Sequence, residues 1–358
     1  MSASSTSGVH PLARDKFESL LAAVEVSPPI EQTEAWYRFE ETLGDREFLG
    51  FFEVILAGNP VAVLALQRVE YHGTKFLWSK NGPLWLVEPT LEVQTGVVEV
   101  LVSWVKATAP LTPFIRLHLT EPVSGAQPPL QIVTYDRTVV LDSTGGADQI
   151  MQRFSKSGRR NLRASLRKTP IEVFDETEEA STDFSKYHEI MQEVAKRQEF
   201  NAWPASFYQD MLQGLGSEHS RLFAGRVDGE LVAWGIFTLS GNRGSYYYAA
   251  ANEQGRRRSS SAQVLYSAAQ ELGKAGVEQI DLMGIGSDLA PSLAHLSAFK
   301  RAFAQQETVL APAWDVPVNH LTYKLLVAGK DATTKLRGLS SALREKRSRK
   351  AEEVSDEA

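Results

Sequence analysis

The hydrophobic pattern of this chain switches repeatedly between the period of a strand and that of a helix. Residues 48–71 read as two strands around a Gly-Asn-Pro turn, which predicts a β-hairpin. Residues 90–108 then carry apolar side chains at helical spacing, and a strand pattern follows at residues 114–119. Short alternating elements of this kind predict an α/β (α+β) fold, in which helices flank mixed, mostly antiparallel sheets.

A second stretch of similar element order follows the first. It contains helix patterns over residues 184–197 and 207–215, a meander of three strands over residues 221–250, and a helix over residues 263–275. The length of 358 residues admits two domains of ordinary size. We therefore expect two related α/β units, whose element order resembles that of the GNAT acyltransferase fold.

Composition excludes several kinds of site. The chain contains no cysteine, which rules out a disulfide framework, a thiolate zinc site and a cysteine nucleophile. None of its seven histidines forms an i, i+4 pair, so we expect no structural or catalytic metal. The N-terminus lacks the apolar core of a signal peptide, and the longest apolar runs are too short to cross a bilayer. We expect a soluble, cytoplasmic protein.

Positive charge is concentrated in one segment, although the net charge is −6. Residues 153–168 contain seven basic side chains and no acidic one. Four of them are spaced by four, three and four residues, which places them on one face of a predicted helix: Lys156, Arg160, Arg163 and Arg167. Such a stripe suits the backbone of an RNA acceptor stem, which is recognised through charge and shape. The alternative is a solvated face of an amphipathic helix.

Four segments resemble the motifs of one protein family, and they occur in the same order along the chain: Glu31–Trp36, Lys156–Ala164, Tyr246–Gly284 and Phe299–Phe303. They are similar to the Gln-Ser-x-x-Trp opening, the Arg-Asn-Ile-Arg-x-Ala helix, the tyrosine-rich strand and the Phe-Lys-x-Gly-Phe motif of the FemABX family of peptidoglycan interpeptide-bridge aminoacyltransferases. The interval before the meander is too short for the helical arm of some members. The chain therefore resembles the compact, FemX-like form.

The resemblance implies two GNAT-like domains, with the second inserted in the first. Domain 1 would comprise residues 14–137 and 308–330, with a returning strand near residues 321–326, and domain 2 would comprise residues 138–307. The two ends of the chain would lie outside these domains.

We expect residues 1–13 to be a disordered leader, and residues 331–358 to be a C-terminal helix that ends in a charged tail. The basic cluster in that tail, residues 344–350, would either contact the inner face of the membrane or remain solvated.

The reaction that the resemblance implies is aminolysis of an ester. An amino acid (Gly, Ala or Ser) would pass from aminoacyl-tRNA to the stem-peptide lysine, or an equivalent amine, of a peptidoglycan precursor, either lipid II or UDP-MurNAc-pentapeptide. The tRNA is a co-substrate, and no cofactor is required. Because the ester is already activated, the enzyme needs to position the reactants and stabilise an oxyanion rather than supply a nucleophile.

The expected catalytic residues follow from the last motif and from the end of the central strand of domain 1. Lys300 would stabilise the oxyanion or the departing ribose oxygen, although most lysines are simply exposed on a helix. Phe299 would orient Lys300 by packing, or serve only the core. Glu121 would act as a general base or as a substrate anchor.

The expected substrate-binding residues are mostly basic or aromatic. Arg197 would grip the precursor's diphosphate through its guanidinium, with Lys196 as a weaker neighbour, unless it only stabilises a helix end. Tyr246 and Tyr248 would share one face of a strand and bond to phosphate or carboxylate, unless they are core residues. Trp36 belongs to the opening motif and would line the substrate site.

Other functions are compatible with parts of this pattern. One is a CoA-dependent N-acyltransferase of the GNAT type, but the segment from Gln254 to Ser261 lacks the glycine spacing with which those enzymes cradle a diphosphate. Another is a non-catalytic RNA-binding protein that uses the basic helix. A third is transfer of an amino acid to a protein N-terminus. The sequence leaves the transferred amino acid, the form of the acceptor and the oligomeric state open.

Overall fold

The computed structural model describes residues 7–71, 73–130, 132 and 134–329. Strands in this part of the chain are β1 (Gly8–Leu12), β2 (Arg46–Leu56), β3 (Asn59–Tyr71), β4 (Thr74–Trp78), β5 (Leu84–Trp85), β6 (Phe114–His118), β7 (Arg137–Thr138), β8 (Val140–Asp142), β9 (Glu172–Asp175), β10 (Ser220–Val227), β11 (Glu230–Ser240), β12 (Arg243–Ala251), β13 (Gln279–Asp281), β14 (Thr308–Val309) and β15 (Ala313–Pro317).

Helices connect and cover these strands: α1 (Arg14–Ala23), α2 (Glu34–Glu41), α3 (Leu91–Thr108), α4 (Ala147–Arg153), α5 (Lys156–Lys168), α6 (Thr177–Thr182), α7 (Ser185–Gln198), α8 (Ala205–His219), α9 (Glu253–Arg257), α10 (Ser260–Lys274) and α11 (Ala294–Lys300). Short 3-10 helices lie at Ile30–Gln32 and Pro291–Leu293. A further helix spans residues 320–329. Among the helices that the structure describes, none has both the length and the apolar character that a membrane span needs.

The first sheet has the strand order β1-β2-β3-β4-β6-β15, with β5 paired to β3. Its long hairpin, β2–β3, is antiparallel, as the sequence predicts, while β4 and β6 run parallel. One face packs on α3 through apolar residues such as Val97, Leu101 and Val105. The strand β15 pairs with β6 and so returns the chain to this sheet after the second unit.

The second sheet has the order β8-β13-β12-β11-β10-β9 and is antiparallel except for the β12–β13 pair. Helix α10 packs on it through Val264, Leu265 and Leu272. Another apolar core joins α1 and α2 of the first unit to α7, α8 and the strands of the second, with Trp36, Tyr208 and Trp234 among its members. The predicted α/β fold with helices flanking mostly antiparallel sheets is confirmed.

Three local predictions are wrong. Residues 8–12 of the expected leader form β1, because the backbone of this segment pairs with the open edge of β2 and Leu12 packs on the core. The small residues Ser157 and Gly158 also predict a break within a helix over residues 148–168, but the break lies between α4 and α5, where the Ser155 hydroxyl caps α5 by accepting from the Gly158 N–H at 3.1 Å.

The third correction concerns the strand expected near residues 321–326. These residues are helical, and the returning strand is β15. Side chains of the helix, including Tyr323 and Leu326, pack against the first sheet instead of pairing with it. The expected C-terminal helix and charged tail at 331–358, with its basic cluster, lie outside the described residues.

Candidate active site

A cavity of about 420 Å³ lies between the two sheets. From the first unit it is lined by the residues before α2 and by the ends of β4 and β6, including Glu31, Trp78 and His118. From the second unit it is lined by β12 and β13, including Tyr247 and Asp281. A large cavity with convergent polar groups between two domains is the usual place for a ligand.

A lysine, a tyrosine and a glutamate form a hydrogen-bonded chain across this cavity. The Lys80 ammonium donates to the Tyr247 hydroxyl at 2.9 Å, and that hydroxyl donates to Glu31 Oε1 at 3.0 Å. The Lys80 ammonium also lies 4.3 Å from the centroid of the Trp36 ring, which favours the cation. Glu31 and Lys80 come from the first unit and Tyr247 from the second. These hydrogen bonds therefore link the two units.

The turn that carries Lys80 is held by Gln32. The side-chain amide of Gln32 donates to the Lys80 carbonyl at 2.6 Å, and its oxygen accepts from the Ala65 N–H at 2.8 Å. Gln32 is completely buried, so both polar ends of its side chain are satisfied inside the protein. The opening motif therefore positions the lysine as well as contributing Glu31.

Asp281 ends β13 at the wall of the cavity. Its carboxylate accepts from the Met283 N–H at 2.7 Å and from the Thr138 hydroxyl. Burial raises the pKa of Asp281, while these hydrogen bonds oppose the rise. The bond to the Met283 N–H holds a backbone turn with a positive φ of 65° at Met283.

Lys300 lies behind that turn. Its ammonium donates to the Gly284 carbonyl at 2.8 Å and to the Met283 carbonyl at 3.2 Å. The residue is only 8% exposed, and burial lowers the pKa of Lys300 to about 8. Met283 lines the cavity between the sheets, whereas Lys300 lies behind Met283 and does not form part of the cavity wall.

A second cavity, of about 380 Å³, lies on the other side of α11. It is lined by one face of α5, by the start of α10 and by Phe299, which packs on Phe303 with ring centroids 5.1 Å apart. Within the described ranges, helix α10 begins here without a side-chain cap, and the buried hydroxyl oxygen of Ser260 has no hydrogen-bond partner. Open N–H groups at a helix start favour an anion.

The basic stripe of α5 lies on the opposite side of the helix from Gly158, Asn161 and Leu162, which line this second cavity. Lys156, Arg160, Arg163 and Arg167 are all exposed, and none of them takes part in an ion pair within the described part of the chain. Arg159, which is not on the predicted stripe, instead donates to the carbonyls of Gln152 and Phe154. The stripe thus remains open to a polyanion.

Arg197 and Lys196 do not join Lys300. Both are exposed on the last turn of α7, and neither lines either of the two cavities. Glu121 is likewise exposed, in the loop after β6, although its neighbour Thr120 lines the central cavity. The structure therefore gives no common cavity to Arg197, Glu121 and Lys300.

The expectation that Tyr246 and Tyr248 share one face is wrong. A β-bulge shifts the register, so Ile236 pairs with Tyr248 while Phe237 pairs with Tyr246. Tyr246 consequently packs on Phe237 in one core, and Tyr248 packs on Tyr208 in another, with ring centroids 5.1 and 5.2 Å apart. The extra residue, Tyr247, is the one that reaches the cavity. Trp36 is 2% exposed and lies beneath Lys80 as a core residue.

Four functional candidates were missed from the sequence: Glu31, Lys80, Tyr247 and Asp281. Glu31 and Tyr247 belong to the opening motif and to the tyrosine triplet, so the motifs point to these segments, although the prediction names other members of them. Lys80 stands in an ordinary Lys-Asn-Gly-Pro turn, which carries no signal of its own. Asp281 follows a short strand, where a carboxylate can be seen in the sequence but its burial cannot.

Comparisons with known proteins agree with this architecture. Residues 152–301 match the model of the family described as an acetyltransferase (GNAT) domain. The crystal structure of FemX matches with a TM-score of 0.68 and 14% identity, over 88% of this chain and 99% of that one. No curated protein matches the sequence.

Two further structures share the fold. A tandem GNAT protein from the clavulanic acid biosynthesis pathway has a TM-score of 0.51 and 13% identity, over 88% of this chain and 99% of its own. The C-terminal domain (DUF2156) of a putative lysylphosphatidylglycerol synthetase from Agrobacterium fabrum has a TM-score of 0.51 and 14% identity, over 90% and 96%. The chain has two GNAT-like domains, and its resemblance to FemX is confirmed for the fold.

Proposed function

We propose that this protein is an aminoacyl-tRNA-dependent aminoacyltransferase that adds Gly, Ala or Ser to the stem-peptide amine of a peptidoglycan precursor. The observation that carries the proposal is the place of Lys300 between two cavities. Its own helix contributes Phe299 to the cavity that α5 and the start of α10 line, and its ammonium binds the carbonyl of Met283, which lines the cavity between the sheets.

The two cavities suit different substrates. The one beside α5 has the exposed Arg256 and an uncapped helix start in its wall, which suits the phosphates of a tRNA acceptor end. The one between the sheets has carboxylates in its wall, which suit an amine. An ester held at the cavity beside α5 and an amine held at the cavity between the sheets would meet near α11.

The transfer itself would need little from the protein. The acceptor nitrogen forms a bond to the ester carbonyl carbon, the bond from that carbon to the ribose oxygen breaks, and the ribose oxygen leaves with the proton that the amine loses. An ammonium at Lys300 would stabilise the negative charge of the tetrahedral intermediate or of the leaving oxygen. Its pKa of about 8 would also allow it to pass a proton to that oxygen near neutral pH.

A CoA-dependent N-acyltransferase is the second candidate, because the same uncapped start of α10 could receive a diphosphate. One feature speaks against it. A Cβ added to Gly255 would lie 2.3 Å from the Val232 carbonyl oxygen, so this glycine serves close helix–strand packing. The segment offers no further glycine to bring backbone N–H groups onto a diphosphate.

A transfer assay tests the proposal. Purified protein is mixed with a peptidoglycan precursor and tRNA that carries a radiolabelled amino acid, and label is expected to enter the precursor only without RNase pre-treatment. The Lys300→Ala variant should lose about a hundredfold in turnover but still bind precursor. Lys274→Ala, an exposed lysine at the end of α10, is the matched control. Transfer from acetyl-CoA instead of tRNA would establish the second candidate.

The basic stripe allows a separate test of RNA binding. Replacing Lys156, Arg160, Arg163 and Arg167 together by Gln should weaken tRNA binding and lower the slope of log affinity against log salt concentration by about 3. The control replaces four exposed cations on other surfaces: Lys16, Lys75, Lys106 and Lys274. Equal losses in the two variants would show that the stripe has no special part in binding RNA.

A further inference from the structure

The cavity between the sheets carries charges of both signs in its wall. Glu31 and Asp281 contribute carboxylates, while Lys80 and Arg243 contribute cations. A site for a polyphosphate would need an excess of positive charge, as on the face of α5. Balanced charges in one enclosed space suit a ligand that itself carries one charge of each sign.

Lys80 has spare capacity to bind an anion. Of its three N–H donors, one is used on the Tyr247 hydroxyl, and the rings of Trp36 and Trp78 lie 4.3 and 5.8 Å away. It forms no ion pair with a carboxylate within the described residues. The aromatic rings and the tyrosine fix the position of the ammonium without neutralising it.

Glu31 is the counterpart of Lys80 on the other side of the Tyr247 hydroxyl. It is 3% exposed, and its only hydrogen bond in the described structure comes from that hydroxyl to Oε1. The second oxygen is therefore available to accept from a ligand. The hydroxyl between them keeps the ammonium and the carboxylate apart, so that each can hold a separate charged group.

Three uncharged groups in the same wall have no hydrogen-bond partner among the residues that the structure describes. These are the Trp78 Nε1–H donor, the Thr238 hydroxyl and the His118 Nε2 atom, all of them buried. The other ring nitrogen of His118 lies 3.0 Å from the Ala311 carbonyl and must donate to it, which leaves Nε2 as an acceptor. Burial lowers the pKa of His118 to about 4, so the ring is neutral. An N–H donor and a nitrogen acceptor together complement an amide group.

We propose that this cavity binds a short peptide that carries a free ammonium and a free carboxylate, with its carboxylate on Lys80, its ammonium on Glu31 and Asp281, and its amide on Trp78 and His118. This inference rests on the proposed function, because it names the part of the acceptor that the cavity takes. Any phosphates of the acceptor then lie outside the cavity.

Calorimetric titration without RNA tests the inference with three probes: alanyl-alanine, its N-acetyl derivative and its C-terminal amide. The free dipeptide should bind, and each blocked derivative should bind about tenfold more weakly, since each loses one charged hydrogen-bonded contact. Equal affinity for all three, or binding of inorganic pyrophosphate that the dipeptide displaces, would overturn the inference.

Two variants test the contacts of the ligand's carboxylate and of its ammonium separately. Lys80→Met should weaken binding of the free dipeptide about tenfold while leaving the amide derivative unaffected, and Glu31→Gln should do the same for the free dipeptide but not for the N-acetyl derivative. Lys106→Met and Glu99→Gln, which alter exposed side chains of α3, are the matched controls and should bind like the unmodified protein. Variants that fail to discriminate the derivatives in this way would refute the assignment.

Tyr247→Phe provides a second measurement if either variant does not fold. It keeps the ring that packs on Trp36 but removes the hydroxyl between Lys80 and Glu31. These two residues should then pair directly, and dipeptide binding should fall about tenfold; unchanged binding would contradict the inference. A protein that binds the dipeptide yet transfers nothing from tRNA would keep this inference and lose the proposed function.

Discussion

The ammonium of Lys300 donates its hydrogen bonds to uncharged groups. Two backbone carbonyls accept from it, whereas the nearest carboxylate, that of Asp281, acts only through space. The cost of removing the charge from water therefore outweighs the attraction by Asp281, and the pKa of Lys300 falls from 10.5 to about 8. A lysine tuned to this range can give up and regain a proton near neutral pH, which an exposed lysine cannot.

The lowered pKa of Lys300 predicts how stability depends on pH. Between about pH 8 and pH 10.5 the unfolded chain holds a proton at this side chain that the folded chain has lost, so stability rises with pH. Between pH 7 and pH 9.5 the unmodified protein should gain about 2 kcal/mol relative to Lys300→Met. Urea unfolding of both proteins at several pH values measures this difference.

The comparison with Lys300→Met isolates one group, because other titrations contribute equally to both proteins. Lys274→Met, which alters a lysine that is exposed and paired with Glu271, should follow the unmodified protein at every pH. Parallel stability curves for the unmodified protein and Lys300→Met would mean that Lys300 has an ordinary pKa in the folded state.

At the scale of elements, a close contact with the loop after α11 positions helix α5. Gly158 in its first turn packs on the loop after α11, where a Cβ would lie 2.0 Å from the Ala302 carbonyl oxygen. The same carbonyl accepts from the Ser155 N–H at 3.1 Å. Helix α5 and the loop after α11 are therefore held together at a glycine that allows them to touch.

Gly158→Ala provides a test in which two effects have opposite signs. Helix propensity alone predicts stabilisation by about 1 kcal/mol, because alanine is favoured over glycine inside a helix. The steric contact with Ala302 predicts destabilisation by about 1–3 kcal/mol. We expect the steric effect to prevail in chemical unfolding. Lys168→Ala, at the exposed end of α5, should change stability by less than about 0.5 kcal/mol, and a stabilised Gly158→Ala would show that the contact is loose.

At the scale of the whole molecule, the chain leaves the first sheet after β6, forms the second unit and returns to the first sheet as β15. A buried ion pair joins β15 to β6. Arg116 on β6 and Asp315 on β15 meet at 2.6 and 3.1 Å, and both side chains are almost completely buried. The Leu130 N–H and carbonyl complete the hydrogen bonding at 2.8 and 2.7 Å.

Removing one partner of this pair should be far more damaging than removing both. Asp315→Ala leaves the Arg116 guanidinium buried without its counter-charge, and we expect a loss of about 3–5 kcal/mol. The double variant Arg116→Met/Asp315→Leu should recover much of this loss, because neither charge remains. Thermal and urea unfolding measure both effects.

The exposed pair between Arg14 and Glu18 is the control for the buried one. Glu18→Ala should change stability by less than about 1 kcal/mol, since solvent screens exposed ion pairs. If Asp315→Ala had an equally small effect, the return of the chain through β15 would not depend on the buried charge pair.

Local patterns sufficed for much of the fold. The alternation along β2 and β3 and the helical spacing of α3 each depend on neighbouring residues, so they can be read directly. The prediction of a disordered leader fails because β1 is stabilised by pairing with the edge of β2, which lies about 40 residues away along the chain. Pairing at such a distance leaves no local pattern.

The sequence by itself determined the element types, the basic stripe of α5 and the motifs that surround Lys300, because these are properties of neighbouring side chains. Only the tertiary structure decided which residues face the cavity. One extra residue in β12 turns Tyr247 instead of Tyr246 toward Glu31 and Lys80, and the packing of two sheets brings those three together. Burial, and with it the shift of the pKa values of Lys300 and Asp281, arises only when the chain has folded.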